Sequence, residues 1–132
     1  MKRHDSRAVA FKLLFEYSFG GETETIINNA AESRGEVITA FARDLFTGAV
    51  ERISEIDSLI ADSAENRNFS RIGRVPLSCM RLGAYEMLAT DTPPEIVVNE
   101  ALELCREHGG EESVAYVNGV LGKIDGIIKR DG

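Results

Sequence analysis

Two phenylalanines one helical turn apart, Phe11 and Phe15, stand among Lys2, Arg3, His4, Arg7 and Lys12 near the start of the chain. Aromatic rings stack unpaired bases and nearby cations hold phosphates, so this combination points to single-stranded RNA. The same residues also suit a structural role, with both rings facing a second helix layer and the cations forming a solvated tail. A second group is acidic. Glu100, Glu103 and Glu107 recur at helical spacing, a stripe that either docks a basic protein or is simply a wet face. A third group surrounds Lys123, where Gly119, Gly122 and Gly126 leave a bare ridge flanked by Lys129 and Arg130. Mid-helix glycines cost on the order of 1 kcal/mol each, so something must come close there: a phosphate chain, or another helix, including that of a second copy. Arg67, Arg71 and Arg74, in a stretch that loses helical periodicity, either touch phosphates or belong to a solvated connector.

Catalytic and metal chemistry find little support. His4 and His108 are the two histidines, and no Ser-His-Asp order, phosphate loop or paired Glu-x-x-His motif accompanies them. Cys105 and His108 lie one turn apart, but two ligands do not make a zinc site. We therefore expect no enzyme, metal or cofactor. Cys79 and Cys105 form no CxxC pair and occupy core-like positions, which fits two buried reduced thiols.

The elements that carry these groups read as helices throughout. Residues 76–90 are apolar nearly all round, with Arg81 and Glu86 the charges among them, so this helix must lie inside with others on several sides. A first helix is expected over 6–19, capped by Ser6 or Asp5 and stopped by Gly20-Gly21; its core stripe is Val9, Ala10, Leu13, Leu14 and Tyr17. A weaker covering helix follows over 22–32. One amphipathic helix runs from Glu36 to Ile53, with a bend near Ser54 opening a short helix through Leu59 and Ile60. After the 64–75 loop and the central helix, Asp91 or Thr92 should cap a helix over 94–108, with proline in its first turn. The last helix, over 113–129, buries Tyr116, Val117, Val120, Leu121, Ile124, Ile127 and Ile128. Nothing alternates as a strand would, and the class is all-α, a bundle of about seven helices. The formal net charge of −7 argues against wholesale coating by nucleic acid while leaving local basic patches open. No apolar run reaches the roughly eighteen residues of a membrane span, and no apolar stretch follows the basic N-terminus, so a cytoplasmic protein without a membrane partner is expected.

A family resemblance gathers these observations. Pro93, Val98-Asn99-Glu100-Ala101, Glu103-Leu104, Gly109 and Val117-Asn118-Gly119-Val120-Leu121 resemble the signature of the bacterial transcription antitermination factor NusB. Met80-Arg81-Leu82 with Tyr85-Glu86-Met87, and the stretch from Arg7 to Phe15, resemble two further helices of that family. The resemblance implies an all-α fold of two packed helical subdomains, here residues 1–64 and 65–132. It also implies a non-catalytic role: pairing with ribosomal protein S10, called NusE in this setting, to bind boxA RNA within an RNA polymerase antitermination complex that includes other Nus factors. Carried over, the RNA role falls on Arg3, His4, Arg7 and Phe15, and beyond the Glu-rich helix on His108, Gly109 and Glu112. The chain departs from the family where His4 and Asp5 replace arginines, Pro76 an acid, and Gly122 an aspartate. The rival reading is a helical interaction module, or a homodimer through the glycine ridge, that never touches RNA.

Overall fold

The computed structural model describes residues 1–64 and 68–131, so Arg67 lies outside the described residues. Among the described residues seven α-helices follow in order: α1 (Arg3–Tyr17), α2 (Thr23–Ser33), α3 (Ala40–Glu51), α4 (Ile53–Ser63), α5 (Arg74–Ala89), α6 (Pro94–Gly109) and α7 (Val114–Asp131), with short 3-10 turns at Phe69–Arg71 and Glu111–Ser113. No strand occurs among the described residues, and no helix is long and apolar enough to cross a membrane.

The helix without a wet face is the hub. α5 packs against α1, α3, α4, α6 and α7, and residues 77–84 are buried without a break. Pro76 sits in its first turn, as its missing N–H allows. Beyond Arg74 at its exposed start, the two charges of this helix are buried and answered from outside it: Arg81 makes two hydrogen bonds to Asp57 of α4 at 2.9 and 2.8 Å, and Glu86 accepts from Arg7 of α1 at 2.7 Å. Cys79 and Cys105 are buried and unbridged, as expected.

Several helix ends differ from the expectation, each for a visible reason. α1 begins at Arg3, three residues early, because Ser6 is an interior residue whose amide donates to the Lys2 carbonyl and whose hydroxyl shares a 2.9 Å hydrogen bond with Thr39. It ends at Tyr17, two residues short of the expected Phe19, and beyond it Gly20 and Gly21 adopt φ of 104° and 113°, conformations that favour glycine. α3 begins at Ala40 rather than Glu36, since the Glu36 amide turns back to the Ala30 carbonyl and closes α2 around Gly35, at φ 66°. Thr39 then caps α3, its hydroxyl accepting from the Ala42 amide at 3.1 Å. The bend falls at Arg52, with φ −109° and ψ 22°, and Ser54 caps nothing. Neither Asp91 nor Thr92 caps α6. Pro93 holds that position, while the Thr90 hydroxyl accepts from the Thr92 amide and donates to the Glu86 carbonyl, tying the connection to α5 instead.

Among the residues expected in the core, Tyr17, Tyr116 and Ile128 are half-buried at its border, and Ile127 is half-buried as well. Gly119, Gly122 and Gly126 face open space, with nothing within 4 Å of where a Cβ would stand. Gly48 is the opposite case, because a Cβ there would collide with the Tyr85 ring and hydroxyl. Gly48→Ala should therefore lower the stability measured by thermal or urea unfolding by about 1–3 kcal/mol, despite alanine's higher helix propensity. Unchanged or raised stability would mean that Tyr85 is free to turn away.

Candidate nucleic-acid interface

α1 lies against both α5 and α6, and this packing divides its side chains between internal and outward work. Arg7 turns inward. It is 5% exposed, donates from Nε to Glu86, and brings a second nitrogen to 4.0 Å from Glu100. The expectation of a phosphate contact at Arg7 is thus corrected, because the guanidinium is spent neutralising a buried carboxylate. His4 is half-turned inward: its Nδ1 lies 2.6 Å from Glu100 and 3.5 Å from Glu103, and its Nε2 3.2 Å from Glu107. The hydrogen bond to Glu100 raises its pKa above 6.5, partial burial opposing and the neighbouring charge of Glu100 and Glu107 assisting. The imidazolium can donate from both nitrogens, and so it bridges the start of α1 to the acidic stripe of α6. That stripe, read from sequence as a docking site for a partner, already holds this intramolecular ligand. His4, Glu103 and Glu107 also offer ligand atoms within 4.8 Å of one another, a set with the donors for a divalent cation.

Three aromatic rings follow one another from the core to the surface. Phe11 is buried, its ring stacked 4.6 Å from His108 at a 30° tilt. Phe15 is half-buried, 6.2 Å from Phe11 and 5.2 Å from Phe19. Phe19 is 61% exposed and carries the Arg74 guanidinium 4.1 Å above its ring. Sequence reasoning passed over Phe19 as the end of a helix. The signal was available in the four-residue spacing of Phe11, Phe15 and Phe19, which puts two rings on one side of α1 and brings Phe19, just past its end, next to them. Exposed Lys12 borders the row, its ammonium 3.1 Å from Glu36, and Phe11, Lys12, Phe15, Val75 and His108 line a shallow cleft of about 220 Å³.

Gly109 acts by absence. A Cβ there would approach Val75 within 2.8 Å, so the bare backbone lets the end of α6 close on the start of α5 and sets His108 over Phe11. Lys2 and Arg3 are exposed at the N-terminus, Arg3 with its guanidinium 4.0 Å from the centre of the Phe41 ring. Glu112 is exposed on the Glu111–Ser113 turn. Lys123 is not brought to this face. It belongs to α7, whose neighbours are α4, α5 and α6, and lines a separate cleft with Ser63 and Arg130.

The sequence model of the NusB family matches residues 4–126. The chain belongs to the NusB family. Similar NusB proteins include the transcription antitermination protein NusB of Exiguobacterium sp. (strain ATCC BAA-1283 / AT1b), 38% identical over 133 aligned positions that cover 99% of this chain and all of the relative. That of Desulforamulus reducens is 38% identical over 128 positions, covering 94% and 90%. Among solved structures, Thermotoga NusB (T. maritima) superposes with a TM-score of 0.85 at 31% identity, covering 96% of this chain and 92% of the other. A chain from a crystal structure of antitermination factors NusB and NusE in complex with double-stranded RNA gives 0.83 at 27% identity, covering 96% and 99%. The NusB fold is thus shared over nearly the whole chain.

Two outcomes follow from the geometry. Arg7→Ala would strand Glu86 in the core, and the chain should lose about 3–5 kcal/mol in urea unfolding; a loss under ~1 kcal/mol would place Arg7 outside the fold's support. His4 gains its partners in the folded state, so its raised pKa stabilises fully below about pH 6.5, and the gain fades as pH rises through the folded value. His4→Ala should accordingly destabilise more at pH 6 than at pH 9, by roughly 0.5–1 kcal/mol, with equal losses at both pH values refuting the clamp.

Proposed function

We propose that this chain is a transcription antitermination factor that binds boxA-type single-stranded RNA through the α1 face, together with ribosomal protein S10 (NusE). The observation that carries the reading is the row of rings on α1, with Phe15 partly open and Lys12 beside it. With Phe11 buried against His108 and Phe19 covered on one face by Arg74, Phe15 offers the partly open ring to a base while the lysine meets the backbone. Relatives carrying the antitermination name, and a similar chain solved with NusE and RNA, support the same direction. Lys2 and Arg3 extend the electrostatic reach at the N-terminus, and His108 edges the cleft from α6. Glu112 fits the approach of a base edge rather than of a phosphate, since like charges repel.

With Arg7 and His4 engaged internally, the cationic footprint is small. RNA affinity of the protein alone is therefore modest, and S10 supplies the remaining contacts. Other Nus factors and RNA polymerase would meet this pair in the cytoplasm. The body, acidic at −7, suits a basic ribosomal protein and keeps RNA confined to its local patch.

Fluorescence anisotropy of a boxA-like RNA and a scrambled control, at two salt concentrations and with or without S10, tests the proposal. The boxA-like RNA should bind more tightly, and more so with S10. Phe15→Ala should weaken binding by about 1–3 kcal/mol with little change in salt slope. Lys12→Ala should lower the log–log slope by roughly 0.7. Equal weak binding of both RNAs in every condition would favour a module that contacts only proteins.

A further inference from the structure

Where α1 begins against α6, more carboxylates converge than the cations there can serve. An imidazolium has two N–H groups, and those of His4 point to Glu100 at 2.6 Å and Glu107 at 3.2 Å. Glu103 is left 3.5 Å from a nitrogen already given to Glu100, with no other ion pair among the described residues. Arg7, the other cation at hand, stands 4.0 Å from Glu100 and donates to Glu86 instead. Glu103 and Glu107 lie one turn apart on α6, so their carboxylates face the imidazole together.

We propose that His4, Glu103 and Glu107 bind a divalent transition-metal ion of the zinc class. Their ligand atoms lie within 4.8 Å of one another. Two ligands of a tetrahedral zinc with bonds of about 2.1 Å stand roughly 3.4 Å apart, and Glu107 is 3.2 Å from His4 Nε2. Acids alone would collect any cation, but an imidazole favours a transition metal over magnesium and calcium, which take oxygen ligands. Glu100 is a positioning residue: it accepts the Nδ1 proton, which fixes the tautomer and keeps the Nε2 lone pair for the ion. The ion replaces the Nε2 proton and gives Glu103 the partner that the imidazolium does not. A way in is open, since the side chains of Glu103 and Glu107 are 57% and 49% exposed. Spacing along the chain hid the set, because His4 lies 96 positions from Glu100. The site stands whether or not the α1 face binds RNA.

The test uses the full chain, stripped with a chelator, and zinc chloride alone as the probe, with magnesium chloride for comparison. Calorimetric titration should give one zinc per chain and magnesium binding weaker by about a hundredfold or more. In nitrogen-15 NMR of the unmodified chain, zinc should shift His4 Nε2 and the amides around Glu103 and Glu107 while leaving His108 in place. His4→Gln and Glu107→Gln should each weaken zinc by about tenfold or more, whereas Glu95→Gln, the same charge loss as Glu107→Gln at an exposed position of α6, should leave affinity within about twofold. Glu100→Ala should cost roughly tenfold and also release the Nδ1–H tautomer of neutral His4, which its nitrogen shifts report. Equal binding of zinc and magnesium would reduce the set to ordinary surface acids and overturn the proposal. Shifts centred on His108, or equal losses from Glu95→Gln and Glu107→Gln, would overturn it too. The NMR titration needs no variant, so the test holds even where a substitution unfolds the chain.

Discussion

A buried carboxylate on the central helix sets the terms for the rest of the molecule. Glu86 is 2% exposed, and a charge taken from water is tolerable only beside an opposite charge of good geometry. Arg7 meets that demand across 79 positions of sequence. A Leu–Met pair at the same sites would pack as well without desolvating anything, so the ion pair is better read as a device for register. It lets α1 dock on α5 at one height, because sliding by a turn would strand both charges. Arg81 and Asp57 do the same for α4 from a less buried position, and the two pairs key helices on different sides of α5 to one reference.

That register is what arranges the α1 face. With Arg7 fixed inward, Phe11 falls against His108 and Phe15 is left partly open, while Lys12 projects to the surface. The division of labour on this helix is therefore sharper than its composition suggests: of five cations near its start, one supports the core, one binds the acids of α6, and Lys2, Arg3 and Lys12 keep exposed charge. A chain of net negative charge thus still presents a narrow strip of exposed cations on this face.

Much of the fold was legible from pattern alone. An all-round apolar stretch at 76–90 demanded a central position, and Gly20-Gly21 and Pro94 marked ends that the structure keeps. What escaped depended on partners far away in sequence. Nothing local distinguishes an arginine that will reach a buried glutamate from one that will meet phosphate, which is why Arg7 was misassigned. Ser6 looked like a cap because caps are short-range, yet its hydroxyl is used by Thr39. Glu36 belonged to a helical period and was claimed instead by the closing turn of α2. Of the residues gathered on this face, Phe15 and Lys12 were readable from their types and Gly109 from resemblance, while Phe19, in step with Phe11 and Phe15, was passed over.

The closeness of Gly109 to Val75 couples the side chains that two positions 34 residues apart can carry. Any side chain arriving at 109 needs a smaller residue at 75 first, so the neutral route through sequence space passes in that order. Lineages that shrink position 75 gain freedom at 109, and they also loosen the joint that presses His108 on Phe11. Drift at a pair of small apolar residues is thus a way for descendants to retune the surface beside them without altering a single charged or aromatic residue there.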